Sequence, residues 1–234
     1  MEWTKNSLYR NKILRRYEPV QPLFFKYFCT LMEIDAFYDV GANIGYYSIL
    51  LSSHIQGLRT YSFEPSPWAF GELEENIRLN GLNHQVLPYP VALSSDAKKK
   101  DLFIISPLSG ANTFYRMNAS RNVSRKITID CKPLDDFRQS SYENIGVKID
   151  VEGHELEVLK GGKNLLTENT VLLQIEILES EAVLEVSSYL KDLGYEKFFR
   201  IGPDYYFTND SLLYRSNILL IEKFFDFVVE RSKS

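Results

Sequence analysis

Carboxylates recur in this chain at the ends of short apolar runs, and that placement defines the chemistry open to it. Asp39 lies near the end of Ala36-Phe-Tyr-Asp-Val40 and is followed by Gly41, Asn43 and Gly45. Glu64 closes a second run, in Phe63-Glu-Pro-Ser-Pro67. Asp150, Glu152 and His154 are spaced by two in Lys148-Ile-Asp-Val-Glu-Gly-His-Glu155, and Glu176 ends Gln174-Ile-Glu176. The stretches Phe37–Ser48 and Lys148–Gly161 each read as a buried strand, a tight turn and a helix. In an open α/β sheet the carboxyl ends of the strands form the crevice where ligands bind.

A crevice walled by acids suits a cationic ligand and repels a phosphate. Spacing after the first strand agrees. A dinucleotide fingerprint is G-x-G-x-x-G, and here Asn43 and Tyr46 stand at its second and third glycine positions, so a pyrophosphate is not accommodated. S-adenosylmethionine, with a sulfonium and an ammonium group, fits better. Its methionine part would lie against Gly41, Asn43 and Gly45, with Asp39 near the ammonium. Glu64, 23 residues after Gly41, is placed to accept hydrogen bonds from ribose hydroxyls. Val91, Ala92 and Leu93 offer an apolar face to adenine. The plainer readings are a tight turn for the glycines, a carboxylate beside a helix N-terminus for Glu64, and core packing for the apolar triplet.

Asp150 is expected near the reacting methyl, with Glu152 and His154 at the mouth. A hydroxyl is a poor nucleophile at neutral pH and needs a base or a metal. Asp150, Glu152 and His154 are therefore the candidate catalytic groups; for His154 a water-exposed helix start is the rival reading. Glu176 is an acid inside a buried strand, which is costly without a partner. Asp150, Glu152 and Glu176 could instead hold Mg²⁺ or Mn²⁺. No chelating spacing is diagnostic, so metal-free chemistry is preferred.

The elements that carry these groups alternate. Residues 1–35 are expected to form a helical extension, with Leu23, Phe24, Tyr27, Phe28 and Leu31 on one face. Residues 36–234 read as strand–helix alternation, closed by a hairpin at Phe198–Ile201 and Tyr205–Phe207, a strand at Ile218–Ile221 and a last helix. The expected helices include one from His154 to about Leu166. The expectation is a mostly parallel seven-stranded sheet with an antiparallel edge strand.

Composition sets bounds. A net charge of −4 gives no electrostatic footprint for duplex nucleic acid. Two cysteines exclude a disulfide framework and a zinc spacing. The start lacks a signal-peptide pattern and no apolar run spans a bilayer, so no membrane partner and a cytoplasmic location are expected. Gly202-Pro203-Asp204-Tyr205 is read as a hairpin turn.

From Phe37 to Ile177 the motifs resemble the FkbM family of S-adenosylmethionine-dependent methyltransferases. KIDVEGHELEVLKG is the most specific, and YDVGANIGYYS, FEPSPWAFGELEENIRLNG and QIEI follow in matching order. The resemblance implies a class I, Rossmann-like methyltransferase fold and transfer to a hydroxyl of a sugar, glycan or other small polyol. It implies that Asp39, Gly41, Asn43, Gly45 and Glu64 carry the donor, with Asp150, Glu152 and His154 at the reacting end. Tyr46, Tyr47, Phe114 and Tyr115 are candidate acceptor walls. The alternative is a non-catalytic module that keeps this fold for binding or assembly, and the acids at both sites weigh against it.

Overall fold

A computed structural model describes residues 1–5, 7, 20–105, 112–114, 123, 125–139 and 142–232. Its strands are β1 (Ala36–Val40), β2 (Arg59–Phe63), β3 (Val86–Tyr89), β4 (Ala92–Leu93), β5 (Lys99–Ile104), β6 (Arg125–Lys132), β7 (Asn144–Ile149), β8 (Thr170–Glu176), β9 (Glu196–Ile201) and β10 (Asp204–Thr208). Seven of them form one sheet in the order β3-β2-β1-β7-β8-β10-β9. The pairs from β3 to β8 are parallel, whereas β10 runs against both β8 and β9. The reversed strand expected at this end is β10, one place in from the edge. Residues 102–105 and 126–131 read as strands in the sequence and correspond to β5 and β6, but that they form a separate three-stranded sheet, β4-β6-β5, was not foreseen.

β1 is buried along its whole length, as a central strand covered on both faces must be. Residues alternate between two cores. Tyr38, Val40, Val147, Ile149, Leu173 and Ile175 face one apolar cluster with Val158, Leu159 and Leu166. Phe37, Leu172 and Tyr206 face the other.

The helices are α1 (Gln21–Leu31), α2 (Tyr46–Ser52), α3 (Pro67–Leu79), α4 (Glu155–Gly161), α5 (Lys163–Glu168), α6 (Ser180–Asp192) and α7 (Ser211–Ser232). α1 buries Phe24, Phe25, Phe28 and Cys29 against the second core, whereas Leu23 and Leu31 are exposed. The expected stripe was therefore rotated: neighbouring aromatic side chains, larger than leucine, take the inward face. Residues 1–5 dock on α3, where Glu2 N–H donates to Asn80 Oδ1 and Thr4 N–H to Asn76 Oδ1. Trp3 stacks on Tyr46.

Two expected elements differ. Ile218–Ile221 is not a strand but lies within α7. Leu213 and Phe224 are buried, while Ile218 and Leu219 face outward. That pattern is helical, and four consecutive apolar residues could not reveal it alone. The helix expected from His154 to Leu166 is broken into α4 and α5 at Gly162, whose φ of −112° is not helical. Gly202 and Pro203 form the hairpin turn between β9 and β10, as expected.

Candidate functional site

The strand order reverses between β1 and β7, since β2 and β3 extend one way and β8 the other. The carboxyl ends of β1 and β7 therefore diverge into a crevice. Its lining includes Asp39, Gly41, Asn43, Tyr46, Glu64, Ala92, Phe114, Lys148 and Asp150. Of the residues expected at the site, Gly45, Glu152 and His154 do not line this crevice, whereas Lys148, which was not expected, does.

The turn after β1 is shaped by close approach. Gly41 has φ +80°, and a Cβ there would fall 1.9 Å from the Asp150 carbonyl oxygen. Only glycine fits. Asn43, at φ +50°, is stabilised in its left-handed conformation as its Oδ1 accepts from Ile44 N–H at 3.0 Å. Gly45, at φ +86°, starts α2, and a Cβ there would meet Leu73 at 2.5 Å.

Asp39 is buried, and its Oδ2 accepts from Ser48 N–H at 3.1 Å and Ser48 Oγ at 2.5 Å. It thus ties β1 to α2. Burial pushes its carboxyl up; Lys148 and Ser48 draw it back. Glu64 is also buried, and it bridges two turns, accepting from Asn43 N–H at 2.9 Å and Ser66 N–H at 2.8 Å. Val91, Ala92 and Leu93 line the same crevice. Tyr46, Tyr47 and Phe114 line it too; Tyr115 lies outside the described residues.

On the β7 side the three polar residues of the motif separate. Asp150 Oδ2 receives the Lys148 ammonium at 3.0 Å. Glu152 has φ +55°, and that turn carries its carboxylate to Asp150 and Glu176. One oxygen of each of the three lies within 4.8 Å of the others. Burial, then the charges of Asp150 and Glu155, push Glu152 up to about 7, with Lys148 opposing. Burial first, then Asp150, pushes Glu176 well above the usual carboxylate range.

His154 is not brought to this cluster. It is buried at the start of α4, with Nε2 3.1 Å from Ser94 Oγ and its ring 4.7 Å from that of Phe114. Burial and the nearby Lys100 lower its pKa to about 4, so it is neutral at ordinary pH. The water-exposed helix start considered for it does not hold.

Lys148 is the residue the sequence reading missed. It sits two residues before Asp150, and a strand period of two puts both on one face. Its ammonium also lies 4.8 Å from the centroid of the Tyr47 ring.

Comparison with known proteins identifies the family of the chain. The profile of the methyltransferase FkbM domain matches residues 39–197. The hexuronic acid methyltransferase AglP of Haloferax volcanii is 37% identical over 181 residues, covering 73% of this chain and 71% of that protein. Methyltransferase sdnD of Sordaria araneosa is 26% identical over 68% of this chain and 72% of its own length. Among solved structures, the FkbM methyltransferase of Methylobacillus flagellatus superposes with a TM-score of 0.56 at 18% identity. That match covers 75% of this chain and 44% of the other, and it supports the fold alone. With a matched domain across most of its length and a relative above a third identical, the chain belongs to the FkbM methyltransferase family.

Proposed function

We propose that the protein transfers a methyl group from S-adenosylmethionine to a hydroxyl of a sugar, glycan or other small polyol. The observation that carries this reading is the carboxylate cluster of Asp150, Glu152 and Glu176, at the strand edge beside a glycine turn too tight for any side chain at Gly41. The sugar in the name of the relative AglP supports the acceptor class.

Gly41, Asn43 and Gly45 form the cradle for the methionine part, Asp39 and Asp150 favour its positive charge, and Glu64 is suited to the ribose. Ala92 flanks adenine. When bound, the donor supplies an electrophilic methyl on a sulfonium that leaves as a neutral thioether. Glu152, with its carboxyl at about 7, is matched to taking the acceptor's hydroxyl proton near neutral pH. Asp150 orients that hydroxyl.

The test uses purified protein, labelled donor and a panel of glycans, nucleosides and proteins. Label on a sugar hydroxyl is the expected result. Label on a base nitrogen or a protein side chain would overturn the acceptor class. Calorimetry with S-adenosylhomocysteine and with NAD accompanies it. Binding of the former without turnover on any acceptor would leave the binding-module reading in its place.

A further inference from the structure

The segment Asn112–Phe114 is bound to the site from two directions. Thr113 pairs with Phe103 of β5, through Phe103 N–H to Thr113 O at 2.9 Å and Thr113 N–H to Phe103 O at 3.2 Å. Ile105 N–H donates to Asn112 Oδ1 at 3.0 Å. Asn112 and Phe114 line the crevice. Thr113, between them, is 2% exposed and donates its hydroxyl to the Glu152 carbonyl oxygen at 2.9 Å. Phe114 rests on the buried His154 ring.

Glu152 holds a left-handed backbone conformation. A residue with a Cβ adopts it only where surrounding contacts enforce it. The Thr113 hydroxyl is one such contact, and Gly153 N–H, held by Glu155 Oε1 at 2.8 Å, is another. The same hydroxyl thus fixes both the wall bearing Asn112 and Phe114 and the turn that aims Glu152.

We propose that Thr113 is a positioning residue for methyl transfer. By donating to the Glu152 carbonyl it joins the acceptor-side wall to the turn bearing Asp150 and Glu152, so that wall and carboxylates meet the acceptor as one unit. Selectivity then resides in Asn112 and Phe114, held at a fixed distance from the carboxylates. The proposal rests on the function argued above, but part of its test does not.

Thr113→Val keeps the shape and removes the hydroxyl; Thr113→Ser keeps the hydroxyl; Thr113→Ala replaces the valine variant should that fail to fold. Amide exchange over residues 150–156 reads the turn. Calorimetry with S-adenosylhomocysteine reads the donor site, and steady-state kinetics with a glycan that the unaltered protein methylates reads the rest. In Thr113→Val the turn is expected to exchange faster and the acceptor KM to rise about tenfold, the scale of one lost hydrogen bond. kcat should fall less, product affinity should hold, and Thr113→Ser should restore both exchange and KM. Unchanged exchange, unchanged KM, or equal defects in the valine and serine variants would overturn it. If the unaltered protein methylates nothing, the function fails while exchange still decides whether Thr113 holds the turn.

Discussion

The Lys148 ammonium lies 3.0 Å from Asp150 Oδ2, with the lysine side chain 6% exposed and the aspartate 26% exposed. Lys148 is also the register neighbour of Asp39 on β1. One buried cation therefore serves acids from both sides of the crevice. Removing one partner of a buried pair leaves the other uncompensated, a larger loss than the pair's net worth.

Lys148→Met is accordingly expected to lower unfolding stability by roughly 2–3 kcal/mol, less than for a fully buried pair because Asp150 reaches water. Chemical denaturation checks this through the midpoint at constant slope. An unmoved midpoint would mean that solvent already screens the pair.

Glu64 has a double duty. Its two oxygens hold Asn43 N–H and Ser66 N–H, so any truncation loosens both turns. Glu64→Ala should weaken donor binding by about 1–3 kcal/mol, with some loss of stability. Glu64→Gln keeps one acceptor oxygen and separates the effects. A folded glutamine variant with undiminished affinity for S-adenosylhomocysteine would remove Glu64 from the ribose role.

Titration follows from two opposite shifts. Glu152 is raised to about 7 by burial, then by Asp150 and Glu155. The folded chain thus holds a proton there that the unfolded chain has lost, so this contribution to stability is present below the ordinary glutamate range. It fades as pH rises through 7. His154 is lowered to about 4 by burial and Lys100. Its contribution is present above the ordinary histidine range and fades as pH falls through 4. Between pH 6.5 and 8 only Glu152 of these two titrates. Glu152→Gln should remove a pH-dependent loss of about 1–2 kcal/mol that accumulates from the ordinary glutamate range up to about pH 7, after allowance for solvent screening. The rising limb of the rate profile near pH 7 should survive His154→Gln and disappear in Glu152→Gln. A limb lost with His154 instead would assign the base to the imidazole.

The sequence disclosed the turn after β1 well because its signals are local. Gly41, Asn43 and Gly45 mark a turn that only small or left-handed residues can make, and Glu64 follows at the end of the next strand. The other side was less legible. Strand spacing would put Asp150, Glu152 and His154 on one face unless Gly153 broke the strand; Glu152 at φ +55° and Gly153 at φ +100° do turn the chain there, and His154 reaches Ser94 and Phe114 instead. Lys148 was passed over, although the same spacing that paired Asp150 with Glu152 also paired it with Lys148. Thr113 could not be found at all. Its partner is 39 residues away, and although residues 102–105 and 126–131 read as strands, their alternation does not show that they form a separate sheet against which Thr113 pairs.

The carboxylate cluster leaves a choice between proton and metal. Oxygens of Asp150, Glu152 and Glu176 lie within 4.8 Å of one another, and such hard ligands suit Mg²⁺ or Mn²⁺. Two features oppose a cation. Asp150 is already paired with Lys148. Glu176, raised by burial and by Asp150, favours its protonated form, and a metal must displace that proton. The expected outcome is activity that resists EDTA and calorimetry with Mn²⁺ that shows no binding. Glu176→Gln sharpens the test, since it mimics the protonated acid and removes an anionic ligand. Retained activity in Glu176→Gln supports a protonated Glu176 rather than a metal ligand. Activity lost with EDTA, restored by Mg²⁺ or Mn²⁺ and abolished in Glu176→Gln would instead assign the three carboxylates to a metal.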